Sequence, residues 1–227
     1  MATKVNAVFS MNDPAPIVQV NLFEARAYMK NGKQVGEPKF GVVFIFEPSS
    51  EELKAAKAKA LEIARAKWPG ADAKTIRFPF KDGTKEEAKR NKARVSEGKD
   101  PLPPGAMHGK VILRSRSARQ PALGVFIEGK IVDLEGEKLK VHAGKFYAGV
   151  NAVGEFSFAA SEMDAEDDEG NTVKRRFVSA YINSVLSMNT GKRLGGVGAP
   201  ASQRFQGYKG SVTTEDPTAG MDDEIPF

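Results

Sequence analysis

The 227-residue chain has no cysteine and only two histidines, His108 and His142. Disulfides and thiol nucleophiles are therefore excluded, and a zinc site built from the usual ligands lacks its donors. No apolar run reaches the roughly 18 residues that would span a bilayer. The opening stretch MATKVNAVFSMNDPAP has none of the charged, apolar and small-residue segments of a secretory signal, so a cytoplasmic location is expected. Catalytic signatures are equally scarce. No nucleophile elbow, H-E-x-x-H or complete Walker A pattern occurs, and NTGKRL has a Gly-Lys without the rest of that loop. An EF-hand beginning at Asp164 would need glycine and glutamate where Glu169 and Arg175 stand, so calcium binding there is excluded as well. No cofactor or metal is expected.

What the chain does have is unevenly placed charge. Residues 211–227 carry Glu215, Asp216, Asp222, Asp223 and Glu224 with no lysine or arginine. Removing those five from the 29 acids leaves 24 against 34 basic residues, a formal +10 over residues 1–210 and −5 over the tail. A basic body points to a polyanionic partner. The tail cannot join a core, because its carboxylates would have to be buried with Ile225 and Phe227. We therefore read residues 1–210 as a folded domain and 211–227 as a disordered acidic tail presented to a partner.

Residues 17–47 alternate as a long, bent hairpin: Val18, Val20 and Leu22 share one face, parity then changes at Phe23, and Asn31-Gly32 marks the turn. Ser49 and Glu52 form a capping box for an amphipathic helix whose stripe is Leu53, Ala56, Ala60, Ile63 and Ala64. IRFPF (76–80) reads as a short strand. The Lys/Arg-rich segment that follows reads as a long surface loop with a helical piece at 84–95. Four further strand-like stretches begin at Lys110, Leu123, Lys130 and Lys145, and a fifth at Arg175. Many short strands around one long helix favour a mainly β fold, a small Greek-key barrel.

On the strand from Lys110, alternation sets Val111 and Leu113 inward and aims Lys110, Ile112, Arg114 and Arg116 outward. Phe146, Val150, Phe156 and Phe158 share core parity, leaving Tyr147 outside. On the last strand Val178, Ala180, Ile182 and Leu186 read as core, with Phe177, Tyr181 and Asn183 facing out. Exposed aromatics beside cations suit single-stranded nucleic acid, whose unpaired bases stack and whose phosphates need neutralising. Lys110, Arg114, Arg116, Tyr147 and Tyr181 are the candidate binding residues, joined by Lys89, Arg90, Lys92 and Arg94 of the basic segment. An alternative reading is a metal-dependent nuclease using Asp100, Glu128 and Lys130, since Glu128-Gly129-Lys130 has the Glu-x-Lys shape that holds Mg²⁺ in some nucleases.

Two resemblances follow from these residues. The tip Asp222, Asp223, Glu224, Ile225, Pro226, Phe227 resembles that of bacterial single-stranded DNA-binding proteins, which implies docking on replication or recombination proteins. GEPKFGVVFIFEPSSEELKAA, KFYAGVNAVGEFSF and GKRLGGVGAPASQRFQGY resemble, in order and spacing over most of residues 15–208, a family of bacteriophage single-stranded DNA-binding proteins. That resemblance implies an OB-fold core, single-stranded DNA as partner, no catalytic activity, and a role in replication or recombination in the cytoplasm of an infected host.

Overall fold

The structure, a computed structural model, describes residues 6–30, 33–96, 98, 100–166 and 172–194. Among them the chain forms strands β1 (Asn6–Ser10), β2 (Ala15–Lys30) and β3 (Lys33–Phe46), helix α1 (Glu51–Lys67), short strands β4 (Ile76–Arg77) and β5 (Phe80–Asp82), and helix α2 (Gly83–Ser96). Then come β6 (Val111–Ser117), β7 (Ala122–Ile127), β8 (Lys130–Asp133), the short helix α3 (Glu137–His142), β9 (Asn151–Glu166) and β10 (Thr172–Ser187).

Five strands close a ring. β2 pairs with β3, β3 with β6, β6 with β10 in parallel, β10 with β9, and β9 returns to β2 through Ala15↔Ala152. In chain order of the ring strands this is 1-2-3-5-4, the five-stranded Greek-key barrel of an OB fold. β7 extends the third position: after the break at 118–121 it also runs parallel to β10, and β8 turns back on it. β1 adds to the free edge of β9.

Hydrophobic alternation builds the interior. Ile17 and Leu22 of β2, Phe44 of β3, Leu113 of β6, Phe156 and Phe158 of β9 and Ile182 of β10 are all buried in one cluster. Phe44 meets Phe156 edge-on with ring centroids 5.2 Å apart. Gly154 makes room for this pair, since a Cβ there would lie 2.7 Å from each ring. The predicted stripe of α1 packs into the same cluster. The cap differs from expectation: Ser50, one residue later than Ser49, accepts from the Leu53 N–H, and Glu52 instead accepts from Asn12 and Asp13, tying the β1–β2 turn to the helix. That use of Glu52 is long-range and invisible to a local capping pattern. The parity change in β2 comes earlier than Phe23: Val18 lies outside the interior cluster that holds Ile17 and Leu22, and the first register shift falls between Val18 and Asn21, so Val18 and Leu22 do not share a face. The acidic segment from Ser161 is strand up to Glu166, paired with Thr172 onward.

The basic segment 83–96 is one continuous helix, and its polar stripe holds the segment that follows. Thr84 accepts from Gly109 N–H, Glu87 from Gly105 and Met107, and Asn91 from Leu102. Thus fastened, Leu102 and Met107 cover Val18, Val43, Ile45 and Ile112, a second core on the outside of the barrel. None of the described helices is long and apolar enough to cross a membrane.

Candidate nucleic-acid interface

The outer face of the sheet carries the candidate site. Ile112, Arg114 and Arg116 share it as alternation requires, but Ile112 is fully buried under the second core, so the outward basic row starts at the half-buried Arg114 and continues to the exposed Arg116. Lys110 precedes the strand and is engaged with Glu47 at 2.8 Å, away from that row. Across the ladder Val43 stands opposite Arg114, Gly41 opposite Arg116, and Arg26 opposite Lys39. A Cβ on Gly41 would approach Ser115 O to 3.1 Å and Arg116 Cγ to 3.4 Å, so glycine leaves Arg116 the space it occupies.

β10 lies on the other flank of β6. Its inward residues Val178, Ala180 and Ile182 are buried, which turns Phe177, Ser179 and Tyr181 outward, with Tyr181 42% exposed. β4 sets Arg77 beside Phe177. A groove of about 370 Å³ results, its cations Lys39, Arg77, Lys81, Arg114 and Arg116 and its rings Phe78, Phe177 and Tyr181. Lys39, Arg114 and Arg116 also line an adjoining groove of about 240 Å³ that runs toward Arg26. On the β9 side of β10 the residues opposite Tyr181, Ser179 and Phe177 are the small Ser157, Ala159 and Ser161. Flanking rings and a cationic wall together offer stacking to bases and neutralisation to a backbone.

α2 supplies the groove's counter-charge. Glu86, 8% exposed, accepts from Arg114 Nη2 at 2.9 Å and from Lys81 Nζ at 3.3 Å. Burial alone would raise its pKa, but Arg114, Lys81 and Lys89 outweigh that and hold the carboxyl below the usual range. Arg114 Nε is buried and donates to nothing among the described residues. Arg90 sits against the same cluster: burial, then the charge of Arg114, pushes its guanidinium down, with Glu86 opposing. Arg94 donates to the Asp100 carbonyl, while Lys89 and Lys92 are exposed on the helix.

The candidate residues therefore divide. Arg114, Arg116 and Tyr181 converge on the groove, with Arg90 behind it. Tyr147 lies elsewhere, because β9 begins at Asn151 rather than Lys145. Its hydroxyl donates to Gly191 O at 2.9 Å and the Arg193 guanidinium covers its ring at 4.3 Å, so it fastens the segment after β10. Glu128 and Gly129 are not strand residues; both have positive φ in the two-residue turn joining β7 to β8. Asp100 stands in the loop after α2, and among the described residues no three acidic or histidine groups gather to hold a metal. The tip residues Asp222 to Phe227 lie outside the described residues.

Sequence reasoning missed Arg77, Lys39 and the bulge at Asn183. The bulge leaves Asn183 unpaired between Ile182 and Ser184, so inward parity passes to Val185, buried where Leu186 was expected. Arg77 and Lys39 are separated in sequence from β10 and β6 by several whole elements, so their convergence on one groove has no local signature.

Comparison with known proteins agrees with this architecture. A single-stranded DNA-binding protein from bacteriophage Enc34 shares the fold with a TM-score of 0.50 at 14% identity, over 88% of this chain and 89% of that one. The same phage protein in complex with ssDNA is similar over 84% of this chain and 89% of that one, with a TM-score of 0.49 and 14% identity. No curated protein matches. The family model described as Enterobacter phage Enc34, ssDNA-binding protein, matches residues 17–217, and the chain therefore belongs to that family.

Proposed function

We propose that this protein binds single-stranded DNA without catalysis, coating and protecting it during phage replication or recombination in the cytoplasm of an infected host. One observation carries the reading: Phe177 and Tyr181 share a single groove with Arg77, Lys81, Arg114 and Arg116. Bases stack on the rings while the cations take the phosphates, a mode tolerant of sequence. Arg114 exchanges Glu86 for phosphate as the strand enters. Lys89 and Lys92 lie on α2 as outlying positive charge that draws the strand toward the groove.

Residues 1–210 form the binding body and 211–227 the tail. The tip Asp222, Asp223, Glu224, Ile225, Pro226, Phe227 offers carboxylates and an apolar end to a basic pocket on a replication or recombination protein. Its five charges also compete with DNA for the +10 body. The family match ends at residue 217, so the tip stands on its own chemistry.

The test is incubation of labelled single strands with the protein and Mg²⁺. A mobility shift at unchanged strand length is the expected result. Shortened strands would mean a nuclease, and an unshifted strand would mean that the groove serves something else.

A further inference from the structure

The β-bulge in β10 does more than shift parity. Opposite Glu155 the outer face of β10 presents two residues, Asn183 and Ser184, where an unbroken ladder would present one. The extra side chain is an amide standing next to Tyr181. Bulges commonly re-aim a side chain at a functional site in this way. Asn183 Nδ2 donates to Ser157 Oγ at 2.9 Å and to Glu155 Oε1 at 3.1 Å, and Ser157, the cross-strand partner of Tyr181, donates back to Asn183 Oδ1 at 3.1 Å. The remaining Glu155 oxygen accepts from Ser10 of β1 at 3.2 Å. Three polar side chains from three strands, Ser10, Ser157 and Asn183, thus fix one carboxylate at the margin of the Tyr181 platform.

Charge around this ring is one-sided. Arg77, Lys81, Arg114 and Arg116 share the groove with Tyr181 on its β6 flank, whereas Glu155 lies toward β9. A phosphate is repelled from the carboxylate side. A strand held by the cations and stacked on Tyr181 therefore turns its base edge, not its backbone, toward Glu155. An ionised carboxylate only accepts hydrogen bonds, and it has about four lone-pair positions, of which the network uses two.

Resting on the single-strand reading above, we infer that Glu155, positioned by Asn183 and Ser157, reads the edge of the base on Tyr181 and selects bases bearing an exocyclic amine over thymine. Cytosine and adenine donate an amine hydrogen to the free positions. Thymine presents two carbonyl oxygens around its one N–H, and these meet the carboxylate with like partial charge. Carboxylate-to-cytosine N4 pairing is an established form of base readout.

The experiment compares length-matched oligo(dC) and oligo(dT) by fluorescence anisotropy with the full-length protein and its Glu155→Gln and Glu155→Ala variants, with melting temperatures recorded alongside. The wild-type protein is expected to bind oligo(dC) roughly fivefold or more tightly than oligo(dT). In Glu155→Gln the preference should disappear through a gain for oligo(dT), because a glutamine amide also donates. Glu155→Ala should level the two with the domain still folded, at a modestly lower melting temperature from the two lost hydrogen bonds. Equal wild-type affinities, or a preference that survives in both variants, overturn the base-reading role and leave single-strand binding intact. A wild-type protein that binds neither oligonucleotide overturns both readings.

Discussion

Arg114 Nη2 donates to Glu86 at 2.9 Å, so the most enclosed cation of the groove is already paired with a carboxylate from α2. Glu86→Gln should release Arg114 and Lys81 for phosphate. Single-strand affinity at low salt is expected to rise, and log affinity should fall with log salt more steeply, by roughly 0.7 per added contact. Titrating binding against salt checks this. An unchanged slope would show that Arg114 never meets the backbone.

The same carboxylate has a pH signature. Its pKa is depressed in the folded protein, so the pair's contribution to stability is fully present above the unfolded carboxyl value and is lost as pH falls through the folded one. Thermal melts of the wild-type protein and Glu86→Gln should therefore differ at neutral pH and converge in acid. Parallel curves at all pH values would remove Glu86 from the acid response.

Two tyrosines separate stacking from packing. Tyr181→Ala should weaken single-strand binding by about 1–3 kcal/mol with little change in melting temperature. Tyr147→Ala loses a hydroxyl bond to Gly191 and a cation–π contact with Arg193, and should cost about 1–2 kcal/mol of stability while affinity barely moves. The reverse pattern would relocate the interface to the start of β9.

Much of this was legible in the sequence, for a physical reason. Alternation places Phe156, Phe158, Val178 and Tyr181 correctly because each lies on a stretch of regular ladder, where side-chain direction has period two. It fails at Leu186, past an extra residue, and at Tyr147, before the strand starts. Ile112 has outward parity and is nonetheless buried, because its cover comes from Leu102 and Met107, brought there by hydrogen bonds from α2. The partners Glu86 and Arg114 are 28 residues apart, and no local pattern announces their pairing.

Cations along the chain should differ in the same way. Arg116→Ala is expected to make the salt slope shallower by about 0.7, whereas Lys110→Ala, which gives up only its pair with Glu47, should leave it unchanged. Equal effects would extend the backbone's path past the second core to the start of β6.

A packing prediction is independent of DNA. Gly154→Ala drives a methyl to 2.7 Å from the Phe44 and Phe156 rings, and should lower stability by about 1–3 kcal/mol. Chemical denaturation would measure it, and a neutral result would mean that the aromatic pair yields without loss.

β10, which carries Phe177 and Tyr181, has β9 along one side and β4, β6 and β7 in succession along the other. Strands held on both sides open only when much of the domain opens, so its amides belong with the slowest to exchange with solvent. The platform is consequently rigid before any strand arrives. Association then has little backbone freedom left to remove from the protein, and the ordering it demands falls mainly on the flexible nucleic acid.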